Sequence, residues 1–442
     1  IQSEILMTTM EEIVPQDSLF RKIDKYIDFT FIYDEVKDLY CCTNGRPSID
    51  PVVLFKLVFI EALEGLKSMR KTCEKIKVDA EYRWFLGIPF GKSTPHYSTF
   101  SQNYIRRYAG TEVFENIFVK IVEQAINYGL VKGETFFTDS THKKANANKN
   151  KHHLEIVREV KKRREWLEKE INEERVKQGK KEFEYTDEIE EKELKVSDTD
   201  EESGYYHRDN KEKGFMYLDH RTVDSKCNII VDCYITKGNV HDSIPYVSRL
   251  EYLKEKFNFE IKEVGIDSGY DTLDIKKYLH ENNIYGVIAY RRYAKAETTI
   301  RKSRFKYIKE HDSYICPETG AILEYTGRID RNGYKYYASK ENCENCPEKK
   351  GCCNKKEYRT ITRHICEDLN EEMRERRISE RGKQLYKQRK EKIERSFADS
   401  KQNHGYRYAM YRGIEKNQNY TWLICAAQNM KNIAQKLTKG WA

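Results

Sequence analysis

The sequence predicts a mixed α/β fold in which a sheet-containing core follows an N-terminal helical region. Apolar residues recur at helical spacing over the first 130 residues. At Glu134 the period changes to that of a strand, and strand and helix patterns then alternate as far as Tyr290. Two long polar segments interrupt this order, so we expect the core to carry insertions.

Composition limits the classes of function. The chain has 442 residues, of which 38% are hydrophobic and 34% charged, and this length corresponds to about three domains. A net charge of +8 is only mildly basic, so nucleic-acid binding must depend on local basic segments. No run approaches the roughly 20 apolar residues of a membrane span, and the N-terminus does not resemble a secretory signal. We therefore expect a cytoplasmic protein without a membrane partner.

Residues 1–130 are predicted to form a helical, DNA-binding domain. Asp50 before Pro51 is a typical helix start. Arg106 and Arg107 stand between two tyrosines in a later helical segment. Paired arginines on short helices suit a DNA-binding domain, and from this segment alone an ordinary helical bundle with a basic face fits equally well.

The core is predicted from residues 131–150 and 204–292, completed by C-terminal helices in 371–442. Its order of strand, hairpin, helix, strand, helix and strand resembles an RNase H-like core. The charged insertion 151–203 reads as an exposed helix from Leu154 to about Gln178, followed by a mobile acidic stretch. The second insertion, 293–370, is rich in cysteine.

Three acids are candidates for catalysis. Asp139 and Asp267 each end an apolar strand that we expect to lie centrally in one sheet, and Glu394 lies in a later helix. Phosphodiester cleavage uses two divalent ions about 3.5–4 Å apart, and carboxylates suit Mg²⁺ or Mn²⁺. Asp242 stands where a helix N-cap is wanted, so we expect it to cap rather than to catalyse.

The helix around Glu394 adds basic residues to this group. At 100° per residue, Lys390 and Lys401 share the face of Glu394. A carboxylate among cations suits a metal ligand beside DNA phosphates, whereas the simpler interpretation is an exposed helix with several ion pairs.

Several motifs together resemble one family. The phrase Tyr386-x-x-Arg389-x-x-x-x-Glu394-x6-Lys401 is similar to the Y-R-E-K signature of DDE insertion-sequence transposases, with one extra residue between Arg389 and Glu394. Further resemblances are Phe137-Thr138-Asp139-Ser140-Thr141, Gly265-Ile266-Asp267-Ser268-Gly269-Tyr270, and Gly45-Arg46-Pro47-Ser48-Ile49-Asp50-Pro51, the last of these typical of an InsH-type helical domain.

The resemblance implies roles for these residues. Asp139, Asp267 and Glu394 would hold Mg²⁺ for hydrolysis at the transposon end and for attack of the freed 3′-hydroxyl on target DNA. Tyr386, Arg389 and Lys401 would hold the phosphates near the cut. Because of the extra residue, Lys390 could take the helical place of Arg389. The family also implies double-stranded DNA as partner and a homodimer on DNA.

The second insertion predicts a structural metal site. Cys343-x-x-Cys346 followed by Cys352 has the short spacing of a zinc knuckle, and Cys316 can supply a fourth ligand. Cys353 can replace Cys352, and a reduced, metal-free loop fits the spacing as well. Two alternatives to a transposase also remain: an RNase H-like nuclease that does not join strands, and a DNA-binding regulatory protein.

Overall fold

The computed structural model describes residues 7–41, 48–208, 212–290, 300–353 and 357–440. Gly45, Arg46 and Pro47 of the N-terminal motif lie outside the described residues. The chain divides into two compact units. The larger unit comprises Ile1–Glu155, Leu194–Ala289 and Arg376–Ala442, and the smaller unit comprises Ile156–Glu193 and Tyr290–Glu375.

The helices occur in both units and are numbered along the chain. They are α1 (Met10–Ile13), α2 (Leu19–Tyr26), α3 (Phe31–Val36), α4 (Pro51–Leu63), α5 (Met69–Val78), α6 (Ala80–Leu86), α7 (Ser98–Asn103), α8 (Val113–Asn127), α9 (Glu165–Lys177), α10 (Tyr246–Phe257), α11 (Leu273–Glu281), α12 (Lys340–Glu344), α13 (Lys349–Cys353), α14 (Glu367–Ile378), α15 (Glu380–Arg389), α16 (Arg395–Asn403) and α17 (Ile414–Thr438). Two π-helical turns, Tyr104–Tyr108 and Lys390–Glu394, extend α7 and join α15 to α16.

The strands of the described residues form three sheets. They are β1 (Thr135–Lys144), β2 (His152–Val160), β3 (Ile189–Ser197), β4 (Gly204–Tyr206), β5 (Gly214–Asp224), β6 (Ile230–Lys237), β7 (Glu263–Ile266), β8 (Tyr285–Ile288), β9 (Lys306–Ile308), β10 (Ser313–Ile315), β11 (Ile322–Ile329), β12 (Tyr334–Ala338) and β13 (Thr360–His364).

The sheet of the larger unit has β1 at its centre. Its order is β4-β5-β1-β7-β8. Strand β6 also pairs with β5, on the edge away from β1, and follows β4 along that edge. β1, β7 and β8 run parallel, whereas β5 is antiparallel to β1 and β6 is antiparallel to β5. In chain order, the five main strands therefore lie 3-2-1-4-5 in the sheet, and the predicted RNase H-like core of a mixed α/β fold is confirmed.

β1 is longer than the sequence predicts. It continues past Asp139 to Lys144, because β5 pairs with it from Phe136↔Asp224 to Lys144↔Met216. The parallel partner β7 pairs only as far as Thr138↔Ile266. Asp139 therefore lies within a strand, at the point where pairing to β7 ends.

The N-terminal helices form as their end signals predict. The Asp50 carboxylate accepts hydrogen bonds from the backbone N–H groups of Val52 and Val53, and Pro51 occupies the first turn of α4. Residues on all sides of α4 are buried, including Phe55, Phe59 and Ile60. The C-terminal helix α17 is also buried along most of its length, as its broad apolar face predicts. None of the described helices is long and apolar enough to span a membrane.

The smaller unit has a core of its own. Its five-stranded sheet has the order β13-β12-β11-β10-β9 and is antiparallel throughout. The buried residues of this core include Tyr314, Leu323, Tyr337 and Ile361 together with the cysteines Cys352 and Cys353. The cysteine-rich segment is thus part of a folded unit.

The predicted helix from Leu154 begins only at Glu165, because residues 152–160 form strand β2 and pair with β3. The helix prediction is wrong for residues 154–160 for a local reason. Apolar residues alternate in this segment, at Leu154, Ile156 and Val160, and this alternation favours a strand. Across the hairpin, Arg158 Nε lies 2.8 Å from Glu191 Oε1. In the opposite sense, Lys192 Nζ of β3 lies 3.3 Å from Glu159 Oε2 of β2, so charges of both signs pair across the two strands.

Candidate active site

Strand register brings two of the predicted acids side by side. Thr138 of β1 and Ile266 of β7 are paired neighbours on parallel strands, and Asp139 and Asp267 are the next residues of those strands. Adjacent strands lie about 4.8 Å apart. Both side chains are partly exposed at this edge of the sheet, so a substrate can reach them.

Asp139 also contacts a predicted basic residue. Arg389 Nη2 lies 2.7 Å from Asp139 Oδ2, and only 3% of the Arg389 side chain is exposed. Burial raises the pKa of Asp139 to about 6; the Arg389 charge opposes this rise, while the negative charges of Asp267 and Asp242 add to it. A methyl group at Gly265 would lie 2.9 Å from Phe137 and 3.6 Å from Arg389 Cβ, so glycine there allows α15 to approach the sheet.

The third acid lies on the same helical run. Glu394 is the last residue of the π-helical turn between α15 and α16, and its side chain is exposed. Burial raises the pKa of Tyr386; Arg389 opposes this effect, and Asp267, Asp139 and Glu394 add to it. The three predicted acids therefore all act electrostatically on the hydroxyl group of Tyr386.

Asp242 belongs to the same group of carboxylates, contrary to the predicted capping role. Helix α10 begins after Pro245 and has no side-chain cap. Instead, Asp242 Oδ1 accepts a hydrogen bond of 2.7 Å from Ser140 Oγ, next to Asp139. A methyl group at Gly269 would lie 2.8 Å from Asp242 Oδ2. Sequence reasoning missed this contact, because it depends on how the loop after β6 folds back over β1.

The remaining predicted DNA-binding residues lie in different places. Lys401 Nζ donates a hydrogen bond to Thr141 Oγ1 of β1, whereas Lys390 is exposed with its Nζ 5.4 Å from the Tyr386 ring centroid. Arg106 is exposed on the N-terminal helices. Arg107 is partly exposed, and its guanidinium lies 4.4 Å from the ring centroid of Tyr40.

The acidic edge has the donor chemistry of a site for a divalent cation. Carboxylate oxygens are the ligands that Mg²⁺ and Mn²⁺ prefer, and Asp139, Asp267 and Asp242 repel one another where they lie. In the present arrangement Arg389 balances part of that charge. Within the described ranges, no three His, Cys, Asp or Glu side chains form a group that could hold a metal ion.

The predicted zinc ligands gather in the smaller unit. Cys316, Cys343, Cys346 and Cys352 line one small cavity of about 20 Å³, and Cys353 lines it too. Burial raises the pKa of Cys353 to about 11, and the neighbouring sulfurs of Cys343 and Cys352 add to this effect. In the described part of the chain these thiols do not form a group that could hold a metal ion, so they are close without being arranged as ligands.

An RNase H-like core with several carboxylates at one sheet edge suits the class of metal-dependent enzymes that cut phosphodiester bonds. Comparisons with known proteins narrow that class. A family model described as a transposase domain (DUF772) matches residues 8–106, and a model described as a transposase DDE domain matches residues 315–434. No curated protein matches the chain. Among solved structures, the chain is similar to a piggyBac transposase in a synaptic complex with hairpin DNA, at 11% identity and a TM-score of 0.37 over 96% of this chain and 75% of that chain.

The two domain matches confirm the predicted resemblance to DDE insertion-sequence transposases and support a DNA-cleaving transposase function. A DDE domain uses divalent metal ions, so this activity depends on metal. The matched ranges include Glu394 and Lys401 but neither Asp139 nor Asp267. The assignment of the first two acids therefore depends on the geometry of the sheet.

Proposed function

We propose that this transposase hydrolyses phosphodiester bonds at the ends of an insertion sequence and joins the freed 3′-hydroxyl to target DNA, with Asp139, Asp267 and Glu394 as its catalytic acids. The observations that support the proposal are the register of β1 and β7, which makes Asp139 and Asp267 neighbours, and the ion pair of Asp139 with Arg389, which lies on the same helical run as Glu394. These three acids would hold Mg²⁺ or Mn²⁺, which would activate the attacking oxygen and stabilise the leaving one.

Arg389 has a defined part in this proposal. Its guanidinium pairs with Asp139 and would move from that carboxylate to a DNA phosphate when substrate arrives, because guanidinium groups bind phosphates in bidentate geometry. Tyr386 and Lys401 flank the same acids and would hold neighbouring phosphates. Lys390, the residue after Arg389, is exposed and would contact the DNA backbone beyond these phosphates.

The π-helical turn accounts for the extra residue in the Y-R-E-K phrase. In an α-helix, residues five apart differ by 140° around the axis. A π-helical turn joins residues i and i+5 by hydrogen bonds, so residues five apart lie one turn from each other on one face. Lys390–Glu394 is such a turn, which supports Arg389, rather than Lys390, as the signature arginine.

The DNA partner is double-stranded DNA, both transposon end and target. The N-terminal helices, with exposed Arg106 and adjacent Arg107, would contact the end sequence outside the catalytic core, and we propose residues 1–130 as this DNA-binding domain. A homodimer on DNA would hold two ends together during joining. The core, in this proposal, comprises 131–150, 204–292 and 371–442, with 151–203 and 293–370 inserted into it.

We further propose that the smaller unit binds one structural Zn²⁺ through Cys316, Cys343, Cys346 and Cys352, with Cys353 as the alternative to Cys352. The support is that all five thiols line one cavity. Zinc favours four thiolates in tetrahedral geometry. Binding would deprotonate the thiols, and the zinc would stabilise a polar segment with little apolar side chain to bury.

The proposal is tested by Mg²⁺-dependent cleavage of DNA carrying the element's own ends. Wild type is expected to cut at the ends and join them to target DNA, whereas Asp267→Asn should lose both activities and still bind DNA. Asp274→Asn is the matched control, because Asp274 lies in the first turn of α11 a few residues further on. It should cut like wild type.

Each alternative has its own outcome in this experiment. Cutting without joining would identify an RNase H-like nuclease instead of a transposase of this mechanism. Binding of the ends by wild type and Asp267→Asn alike, without cutting by either, would identify a DNA-binding regulatory protein. Cutting by Asp267→Asn at the wild-type rate would refute the assignment of the acids.

A further inference from the structure

A polar cleft of about 400 Å³ lies in the larger unit beside the catalytic edge. Ser140 and Thr141, the two residues after Asp139, line it. His142 and Lys144 of β1 also line it, together with Arg407 and Tyr408, the latter paired with Lys144. The cleft therefore lies next to Asp139, where the proposed function places the scissile phosphate.

The backbone fixes Arg407 and Tyr408 against the end of β1. The Lys144 N–H donates to the Arg407 carbonyl oxygen at 3.3 Å, and the Ala409 N–H donates to the Lys144 carbonyl oxygen at 2.7 Å. Lys144 and Tyr408 thus form a parallel β-bridge. The segment 407–409 acts as a short extra strand, so these two side chains are held at set positions.

The cleft has a net positive charge, because three cationic side chains and one carboxylate line it. Lys144, Lys401 and Arg407 line it, and Glu212 is the acidic residue in its wall. Glu212 forms an ion pair with Lys144, and the two side chains are 62% and 35% exposed. Exposed ion pairs of this kind are weak, so a DNA phosphate can compete with Glu212 for Lys144.

Aromatic side chains alternate with these cations. Tyr408 is 49% exposed, and the ammonium groups of Lys67 and Lys144 lie 5.6 Å and 5.0 Å from its ring centroid. His142 and Tyr206 also line the cleft, and their rings are tilted by 38° with centroids 3.7 Å apart. Grooves that combine cations along a backbone path with exposed aromatic rings bind single-stranded nucleic acid.

The part of β1 that lines the cleft, from Ser140 to Lys144, is about as long as a few nucleotides of DNA. From Ser140 to Lys144 a strand extends about 13 Å at roughly 3.3 Å per residue. One strand of B-DNA advances about 3.4 Å per nucleotide, so this wall corresponds to about four nucleotides. Bases paired in a duplex present their edges only, whereas unpaired bases can stack on Tyr408.

We infer that this cleft binds the DNA strand next to the scissile phosphate in single-stranded form. Lys144 and Arg407 contact its phosphates, and Tyr408 stacks on an unpaired base. This inference rests on the proposed function, because it takes Asp139 as the place of cutting. It adds three residues that neither the signature nor the strand-end acids indicate.

The test measures DNA binding without cleavage. Full-length protein carrying Asp139→Asn is titrated against a fluorescein-labelled strand of about 20 thymidines at several salt concentrations. Neutralising both cations in Lys144→Gln/Arg407→Gln should reduce the slope of log affinity against log salt by about 1.4, or about 0.7 for each lost phosphate contact. Tyr408→Leu should weaken binding about tenfold and leave the slope unchanged.

A control of equal charge is Lys256→Gln/Lys439→Gln, two exposed cations at the ends of α10 and α17 that do not line the cleft and lie outside the proposed DNA-binding domain. It should bind like the Asp139→Asn parent. Equal slopes and affinities in the control and in both cleft variants would overturn the inference. Because no cutting is involved, a failure of wild type to cleave would count against the proposed function only.

A second measurement uses the unmutated cleft. Irradiation of a bromodeoxyuridine-containing strand bound to wild-type protein should cross-link the peptide that contains Tyr408, as identified by mass spectrometry. Cross-links confined to peptides outside the cleft would contradict the inference even if the substituted proteins did not fold.

Discussion

Asp139 is paired with Arg389 while two further carboxylates, those of Asp267 and Asp242, raise its pKa through their charge. A partly buried group of acids needs a counter-ion, because burial penalises each unpaired charge. Arg389 supplies one in the structure described, and divalent metal would supply a stronger one during catalysis. The ion pair therefore holds the acids in place before metal and DNA bind.

Asp242 is predicted to contribute charge to this site. In Asp242→Asn the side-chain oxygen can still accept the Ser140 hydrogen bond, but the negative charge is lost. We expect the Mg²⁺ concentration for half-maximal cleavage to rise about tenfold, with an unchanged melting temperature. Ser140→Ala removes the hydrogen bond and keeps the charge, so it should change the Mg²⁺ requirement less. Equal effects of both substitutions would show that Asp242 acts only through its hydrogen bond.

Glu61 predicts a pH dependence of stability. It is 2% exposed in the helical region, and burial raises its pKa to about 7, opposed by a hydrogen bond from Thr72. A raised carboxyl pKa stabilises the fold below about pH 4.5, and this contribution is lost as pH rises through 7. Glu61→Gln should therefore be more stable than wild type at pH 8, by about 3 kcal/mol, and similar to it at pH 4.5.

Chemical denaturation at the two pH values measures this effect. Thr72→Val removes the hydrogen-bond donor to Glu61 and leaves the acid, so its stability should keep falling with pH. A Glu61→Gln protein that loses as much stability as wild type between pH 4.5 and 8 would contradict the assignment.

At the scale of elements, the π-helical turn Lys390–Glu394 sets the phase between Arg389 and Glu394. Deleting Glu391, an exposed residue of this turn, should convert the run to a continuous α-helix with the two side chains still on one face. Cleavage is expected to stay within about tenfold of wild type.

Inserting an alanine after Lys390 is the matched control for this deletion. It adds about 100° between Arg389 and Glu394 and should abolish cleavage, as measured with the same end DNA. If the deletion were inactive and the insertion active, the proposed role of the turn would be refuted.

The sequence predicts most elements of the core, and the errors have local causes. Where apolar and polar residues alternate or turn residues follow the strand, as in β5 and β6, the bounds of the strand are predicted within a few residues. β2 was predicted to be helical because its charge outweighed the alternation of Leu154 and Ile156. Strand β1 was predicted to end at Asp139, since its further pairing depends on β5, which lies some 70 residues away along the chain.

The zinc proposal yields a prediction for the smaller unit of the molecule. Wild type purified without chelator should contain one zinc per chain, measured by native mass spectrometry. Cys343→Ser/Cys346→Ser should contain none and should unfold at lower temperature, because structural zinc contributes folding free energy. Cys73→Ser, a buried cysteine of the larger unit, is the control and should retain its zinc. Equal metal content in all three proteins would contradict the proposed ligands.

Across the whole molecule, the candidate site could be predicted only in part. The order of Asp139, Asp267 and Glu394 along the chain is visible in the sequence, since each follows a recognisable strand or lies in a basic helix. The contact of Asp242 with Ser140 and the position of Tyr408 beside Lys144 are not visible, because loops bring these residues together across long sequence separations.

The central claim is that Glu394 joins the two strand-end acids in one metal-dependent site. The most direct measurement compares Glu394→Gln with Glu391→Gln in Mg²⁺-dependent cleavage of the element's end DNA, since both acids are exposed on the same π-helical turn. We predict a loss of about 1,000-fold for Glu394→Gln and wild-type rates for Glu391→Gln, with DNA binding retained by both. Equal cleavage by the two variants would contradict the account.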